Sequence, residues 1–178
     1  MALIQAFNHE AFSELVIRHS DRFYALSYRT LFHQSDAEDI VQESFLKLWR
    51  KPTLWQQKRG VQFKTWFYRI IVNACYDLNK KKSSQESSLS DQDYEQVAEE
   101  DISSQQRSDL STIEAALKNL PERQRTALNL CFYEELSNKE AADIMGIRLK
   151  ALQSLIMRAK TTLKAQINIA EEDGYEHK

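Results

Sequence analysis

Apolar side chains recur every three or four residues along much of this chain, a spacing that places them on one face of a helix. Two such stripes lie near the N-terminus and consist of Phe12, Leu15, Val16, His19, Phe23 and Leu26, and then of Ala37, Ile40, Val41, Ser44, Phe45 and Leu48. Only 3 glycines and 2 prolines interrupt the 178 residues, whereas β-rich folds use many such residues in their turns. The sequence therefore predicts an all-α protein.

A polar segment, residues 83–108, divides the chain. It is rich in Ser, Gln, Glu and Asp, and its large apolar residues are Leu89, Tyr94, Val97 and Ile102. So little apolar surface cannot offset the entropy lost on ordering. We therefore predict a flexible acidic linker between two small helical domains, residues 1–82 and 109–170, with an acidic tail at 171–178. Domains this small have marginal stability alone.

Charge is unevenly distributed, although the formal net charge is only −2. Residues 47–82 carry 10 basic and 1 acidic side chain, and residues 83–108 carry 1 basic and 7 acidic ones. Electrostatic attraction acts over about a Debye length, roughly 8–10 Å in physiological salt, so a polyanion would respond to the local basic block. The charge distribution thus favours a nucleic-acid partner.

The basic block contains the segment FKTWFYRIIVNACYDLNKKK, residues 63–82. On a helical projection, the expected core stripe consists of Phe63, Phe67, Ile70, Ile71, Ala74 and Leu78. The expected outward positions are Lys64, Arg69, Asn73, Tyr76 and the lysines at 80–82, with Trp66 at the border. These cations and planar groups can hold and stack on bases. The alternative is that all the rings are core and the lysines only solvate a helix end.

The segment SDAEDIVQESFLKLW, residues 35–49, predicts a second kind of surface. The residues outside its apolar stripe are Asp39, Gln42, Glu43, Leu46 and Trp49. An exposed Leu and Trp beside carboxylates are typical of protein interfaces. The alternative is an ordinary solvated helix whose early acidic residues favour the helix dipole.

Local signals predict several helix ends. Ser35 with Glu38, and Ser137 with Glu140, have the spacing of capping boxes. Pro52 is expected to end a helix and Pro121 to stand in the first turn of another. Gly146 is expected to supply a left-handed stop, with a long helix following from about residue 149 to 167.

The segment LSNKEAADIMGIRLKALQSLIMRAKTTLK has the layout of a helix-turn-helix. The expected inward positions are Leu136, Ala141, Ile144, Ile147, Leu152, Leu155, Ile156, Ala159 and Leu163. The expected outward positions are Arg148, Lys150, Gln153, Ser154, Met157, Arg158, Lys160 and Lys164. Such a face can enter a major groove, with Gln suited to adenine and Arg or Lys to guanine or phosphate. The alternative is a pure packing unit.

Several classes of protein are not expected. Cys75 and Cys131 lie far apart without metal-ligand spacing, so neither a zinc site nor a disulfide is indicated. The sequence has no apolar run of the roughly 18 residues needed for a membrane span and no signal-peptide pattern. No nucleophile or metal spacing accompanies His19 or His33, as a small hydrolase would require. We expect a cytoplasmic protein that is not an enzyme and needs no cofactor.

Three motifs in this order resemble the extracytoplasmic-function (ECF) sigma factors of bacterial RNA polymerase. AEDIVQESFLKLW resembles the polymerase-binding helix of region two, FKTWFYRIIVNACYDLNKKK resembles its minus-ten-reading helix, and LPERQRTALNLCFYEELSNKEAADIMGIRLKALQSLIMRAK resembles region four. The resemblance implies a region-two helical bundle and a region-four helix-turn-helix. It also implies three partners: core RNA polymerase, promoter DNA as duplex and as melted non-template strand, and an anti-sigma factor.

The resemblance also implies roles for individual residues. Contacts with core polymerase would come from Asp39, Gln42, Glu43, Leu46 and Trp49. Contacts with minus-ten DNA would come from Lys58, Arg59, Lys64, Trp66, Arg69, Asn73 and Lys80. Contacts with minus-thirty-five DNA would come from Arg148, Lys150, Gln153, Ser154, Met157 and Arg158.

The chain departs from the family pattern in three places. Asn79 and lysines replace the usual arginines after the region-two Asp, and the loop before Phe63 lacks the common aromatic residue. Residues 150–155 read KALQSL where many members have GTVKSR, so promoter preference does not transfer from the family. The competing hypothesis is an autonomous helix-turn-helix regulator that binds duplex DNA as a dimer. Such a protein has no need of Trp66, Arg69 and Asn73 beside a melted strand.

Overall fold

The computed structural model describes residues 1–56, 62–86 and 113–175, with side chains at 1–56, 62–84 and 113–167. Its α-helices are α1 (Ala2–Gln5), α2 (His9–Leu31), α3 (Gln34–Arg50), α4 (Phe63–Glu86), α5 (of which residues 113–118 are described), α6 (Glu122–Leu128), α7 (Asn138–Met145) and α8 (Leu149–Tyr175). A 3₁₀ turn covers Pro52–Leu54 and a π turn covers Asn129–Tyr133. The described part of the chain contains no strand, so the all-α prediction is confirmed.

Helices α1 to α4 form lobe one, whose centre is aromatic. The Phe67 ring lies 4.7 Å from Phe23 and 4.8 Å from Phe45, measured between ring centroids, and all three side chains are buried. Burial of one such ring contributes about 1.5–3 kcal/mol. This cluster fixes α4 against α2 and α3, which sets the direction of its remaining faces.

The start of α3 differs from the prediction. Its N-cap is His33, whose Nδ1 accepts a hydrogen bond from the Asp36 N–H at 3.3 Å. The proposed capping box of Ser35 and Glu38 is therefore wrong: the imidazole supplies the acceptor, and the helix begins at Gln34. The prediction for Pro52 is confirmed, because α3 ends at Arg50.

Helices α5 to α8 form lobe two. Pro121, expected in the first turn of a helix, instead stands one residue before it, as the N-cap of α6. The Ser137–Glu140 capping box makes both of its predicted hydrogen bonds. Gly146 ends α7 with φ at 63°. Between α6 and α7 the helical path widens into the π turn. The predicted last helix is present and is longer than expected, since α8 continues to Tyr175.

The two lobes share one hydrophobic core. The cluster around Phe23 and Phe67 continues without a break into lobe two, where Leu130 and Ile144 are fully or almost fully buried. Helix α4 accordingly has a second buried face, formed by Tyr68, Val72 and Cys75. Sequence periodicity identified only the face that packs within lobe one. Tyr76, expected to point outward, is half-buried against this shared core, so that prediction is wrong.

The segment predicted as a linker is described only in part. Helix α4 continues through residues 83–86, and residues 87–108 lie outside the described part of the chain. At the other end, the backbone of α8 enters the predicted acidic tail, as far as residue 175.

Candidate nucleic-acid interface

The outward face of α4 carries the predicted minus-ten residues. Arg69, Asn73 and Lys80 are all exposed, and Arg69 and Asn73 lie one helical turn apart. The buried residues beside them, Phe67 and Ile71 on one side and Tyr68 and Val72 on the other, hold the helix rigidly. The structure thus presents a guanidinium and an amide to solvent from a fixed scaffold.

The other predicted minus-ten residues have different surroundings. Lys64 is half-buried, with its ammonium 5.5 Å from the centre of the Tyr68 ring. Burial, followed by the repulsion of Arg22, lowers the pKa of Lys64. Trp66 is half-buried as well, with its ring centroid 5.3 Å from that of Trp55, so part of its surface supports the 3₁₀ turn. Lys58 and Arg59 lie outside the described residues.

Helix α8 presents the predicted minus-thirty-five residues on one exposed face. All six are exposed: Arg148, Lys150, Gln153, Ser154, Met157 and Arg158. Met157, the one apolar member of this set of six, is 65% exposed. The Ser154 hydroxyl donates to the Lys150 carbonyl at 3.0 Å, which leaves its oxygen as an acceptor. Leu152 and Ala159 are buried on the opposite side, as the helix-turn-helix pattern predicts.

The predicted polymerase-binding surface lies on α3. Asp39, Gln42 and Glu43 are exposed, and Leu46 is 45% exposed. Trp49 is only half-exposed, which corrects the prediction of an open aromatic anchor. Its ring packs against those of His9 and Phe12, at 4.5 and 4.8 Å between centroids, because the start of α2 covers it.

A buried carboxylate at the junction of the lobes was not foreseen. Glu134 is 3% exposed. Its Oε2 accepts hydrogen bonds from Arg22 Nε at 2.7 Å and from the Tyr68 hydroxyl, and its Oε1 accepts from Arg29 Nη2 at 2.9 Å. Burial and the bond to Glu134 raise the pKa of Tyr68, and the same carboxylate raises the pKa of Arg22. All three donors belong to lobe one and the acceptor to lobe two.

A second polar contact joins the lobes. Arg125 of α6 is 9% exposed and donates from Nη2 to the Thr30 carbonyl at the end of α2, and from Nη1 to the Lys118 carbonyl at 2.9 Å. Its guanidinium also lies 5.2 Å from the centre of the Phe32 ring. A cation at a helix C-terminus interacts favourably with the helix dipole, while burial lowers the pKa of Arg125.

The described residues form neither a metal site nor a membrane-spanning helix. They contain no group of His, Cys, Asp and Glu side chains that could hold a metal ion. None of their helices is long and apolar enough to cross a membrane. Both cysteines have free thiols.

Comparison with protein families matches both lobes. The Sigma-70 region 2 family matches residues 15–85, and the Sigma-70, region 4 family matches residues 110–163. These two regions in this order define a protein of the sigma-70 type.

Individual relatives specify the class further. The chain is 33% identical over 158 residues to the ECF RNA polymerase sigma factor SigE of Mycolicibacterium smegmatis, covering 86% of this chain and 60% of that protein. It is 28% identical to the ECF RNA polymerase sigma factor SigW of Bacillus subtilis, covering 90% of each chain. The chain belongs to the family of ECF RNA polymerase sigma factors.

Solved structures show the same fold. The sigma factor RpoE of Bartonella quintana, in complex with the anti-sigma factor NepR, has a TM-score of 0.75 at 23% identity, over 90% of this chain and 98% of that one. CnrH in complex with the cytosolic domain of CnrY has a TM-score of 0.70 at 24% identity, over 94% of each chain. Both likenesses span the two lobes.

Proposed function

We propose that this chain binds core RNA polymerase and directs it to specific promoters. One observation carries the proposal: a region-two lobe and a region-four lobe each present an exposed, mostly basic and polar helix face from a buried hydrophobic scaffold. We assign residues 1–82 to minus-ten recognition and residues 109–170 to minus-thirty-five recognition.

Energetics requires that the chain act as a bound subunit. Opening about ten base pairs at roughly 1.4 kcal/mol per stacking step costs on the order of 14 kcal/mol. Stacking two extruded bases on the protein returns roughly 2–6 kcal/mol. Contacts with polymerase have to supply the remaining free energy of opening. We assign those contacts to the α3 surface, which accompanies the basic helix in lobe one.

For the minus-ten element we assign the melted non-template strand to the outward face of α4. Arg69 and Asn73 are the central contacts, because they are exposed on consecutive turns of a rigid helix. Lys80, Lys64 and Trp66 flank them, and Lys58 and Arg59 belong to the adjoining segment. A cationic groove with aromatic rings is suited to single strands because it holds phosphates and stacks bases together.

For the minus-thirty-five element we assign the major groove to α8. Gln153, Ser154 and Met157 lie at the centre of its exposed face and would reach base edges. Arg148, Lys150 and Arg158 would contact phosphates around them. The polymerase contacts are assigned to α3, through Asp39, Gln42, Glu43, Leu46 and the open edge of Trp49.

We also propose control by an anti-sigma factor. A protein of the same fold, RpoE of Bartonella quintana, was solved in complex with the anti-sigma factor NepR, and another, CnrH, in complex with the cytosolic domain of CnrY. In this chain, the exposed Leu46 on α3 offers apolar surface that such a partner can cover. We expect no catalytic activity or cofactor in the chain itself.

The autonomous duplex-binding regulator is not favoured, because lobe one matches Sigma-70 region 2 along residues 15–85. The test is reconstitution of the full chain with core polymerase, followed by run-off transcription on genomic fragments. Promoter-specific transcripts are expected. Absence of any specific transcript, together with failure to compete with another sigma factor for core polymerase, would refute the proposal.

A further inference from the structure

The reading face of α8 consists of Lys150, Gln153, Ser154 and Met157, which are all exposed. Their spacing of three and four residues places them on one side of the helix, and the opposite side packs into the protein. In the major groove every base pair presents its own pattern of donors, acceptors and methyl groups. Because residues 150–155 depart from the family pattern, the base preference of this chain has to follow from the chemistry of these four side chains.

Gln153 supplies both a donor and an acceptor at the centre of the reading face. Its side chain is exposed, so its amino group and its carbonyl oxygen are both accessible. Such an amide can donate to N7 of an adenine and accept from the N6 amino group of the same base. Guanine presents two acceptors at that edge, so the amide oxygen would face a second acceptor. Gln153 therefore favours adenine over guanine.

Met157 adds an apolar surface one helical turn further on. It is 65% exposed, and it lies four residues after Gln153, or about 6 Å along the helix axis. Successive base pairs rise by roughly 3.4 Å, so the two side chains reach positions one or two base pairs apart when the helix follows the groove. The apolar group that base edges offer there is the C5-methyl group of thymine. A flexible thioether can adapt its shape to that methyl group.

The two remaining side chains of the face agree with this preference. The Ser154 hydroxyl donates to the Lys150 carbonyl at 3.0 Å, which leaves its oxygen to accept. An acceptor suits the amino groups of adenine and cytosine and opposes the O6 and N7 atoms of guanine. Lys150 carries the one charge of the reading face, and its assigned contact is with phosphate, which conveys no sequence information.

We propose that α8 selects a minus-thirty-five element in which Gln153 reads an adenine and Met157 packs on the methyl group of a thymine one or two base pairs away. The inference rests on the proposed function and adds a base preference to it. Arg158, which is assigned to phosphate, contributes affinity without preference.

Base analogues test the proposal without altering the protein. The full chain, bound to core polymerase, first selects promoters from a library whose minus-thirty-five segment is randomised. In the selected element, uracil then replaces each thymine in turn, which removes only the methyl group, and 7-deazaadenine replaces each adenine, which removes only N7. At one thymine the wild type should lose about fourfold in affinity, and at one adenine about three- to tenfold. Selected elements made of G·C pairs, or equal affinity for every analogue, would overturn the proposal.

Variants assign each preference to its side chain. Met157→Ala should bind the thymine and uracil elements equally, whereas Met157→Leu keeps an apolar surface and should keep the difference. Gln153→Ala should lose the sensitivity to 7-deazaadenine. Arg158→Ala is the control, because loss of a phosphate contact should weaken binding to every element by the same factor. A methyl effect that persists in Met157→Ala would overturn the proposal.

The outcomes separate this inference from the proposed function. If the library yields no selected element, the proposed function fails and the inference fails with it. If specific elements are recovered, but neither the analogues nor the variants change the preference among them, the reading by Gln153 and Met157 is wrong while the proposed function stands.

Discussion

Arg69 and Gly146 meet at the junction of the lobes, where the guanidinium of one lies beside the backbone turn of the other. The glycine has φ at 63°, and a Cβ built on it would have only Arg69 Nη2 nearby, at the ordinary contact distance of 3.9 Å. Backbone conformation rather than space therefore selects glycine at this position.

We expect Gly146→Ala to lower the free energy of unfolding by about 1–2 kcal/mol, the cost of a left-handed backbone for an L-residue. Gly146→Asn should lose less, because Asn tolerates this conformation. Urea denaturation of both variants measures the difference. Equal losses would show that the turn is limited by contact with Arg69 and not by φ.

Arg125 should be important for stability. Arg125→Met removes hydrogen bonds to the Thr30 and Lys118 carbonyls, and bonds from charged donors are each worth about 1.5–3 kcal/mol. We expect a loss of roughly 2–4 kcal/mol in unfolding free energy, with Arg158→Met on the exposed face of α8 as the control. A loss below about 0.5 kcal/mol would mean that desolvation of the guanidinium already cancels these bonds.

Local chemistry was enough to predict much of lobe two. The Ser137–Glu140 pair and Gly146 each determine a helix end through hydrogen bonds or backbone sterics within a few residues. The same reasoning failed at His33, because Ser is a commoner N-cap than His and only the folded geometry shows which side chain reaches the Asp36 N–H.

Contacts between the lobes could not be predicted in this way. Glu134 and its partners Arg22, Arg29 and Tyr68 are 112, 105 and 66 residues apart in sequence, and no periodicity relates them. A helix that is buried on two sides also lacks a single, well-defined apolar stripe in its sequence. The half-buried Tyr76 on α4 was for that reason expected to point outward, and only the packing of lobe two explains its position.

The two thiols should differ strongly in reactivity. Burial raises the pKa of Cys75 to about 12. Cys131 is less buried, and burial raises its pKa as well. Because the thiolate is the reactive form, Cys131 should be alkylated first at pH 8, and Cys75 only on unfolding. Peptide mass spectrometry after timed alkylation measures both sites, and Cys131→Ser should abolish the fast phase. Comparable rates at the two sites would indicate frequent opening of the shared core.

The Cys75 thiol should also make the folded protein less stable at alkaline pH. Its pKa is raised on folding from 9.0 to about 12, so the folded state favours the protonated thiol. The associated stability is complete below about pH 9 and is lost as the pH rises towards 12. Between pH 8 and pH 10.5, Cys75→Ala should lose less unfolding free energy than the wild type, as measured by urea denaturation at both pH values.

The capping box at α7 makes a prediction at acid pH. Hydrogen bonds from the Ser137 hydroxyl and N–H lower the pKa of Glu140 from 4.5. A carboxylate whose pKa is lowered on folding stabilises the protein above its unfolded pKa, and this contribution disappears as the pH falls through the folded value. Glu140→Gln should therefore be less stable than the wild type at pH 7 by about 0.5–1 kcal/mol, with the difference closing below pH 4.5. A difference independent of pH would assign the effect to side-chain shape.

The last prediction concerns the reading face of α4. Arg69→Ala with Asn73→Ala removes two exposed side chains without touching the buried residues beside them. If each holds part of the melted strand, the loss is about 1.5–3 kcal/mol for the charged Arg69 and about 0.5–1.5 kcal/mol for Asn73, and open complexes should fall at least tenfold. Binding to core polymerase, assigned to α3, should be unchanged. Arg18→Ala is the control, because Arg18 is an exposed arginine of lobe one that pairs only with Glu14 among the ion pairs of the described residues. Permanganate footprinting of promoter opening measures the effect, and normal opening by the double variant would remove α4 from minus-ten recognition.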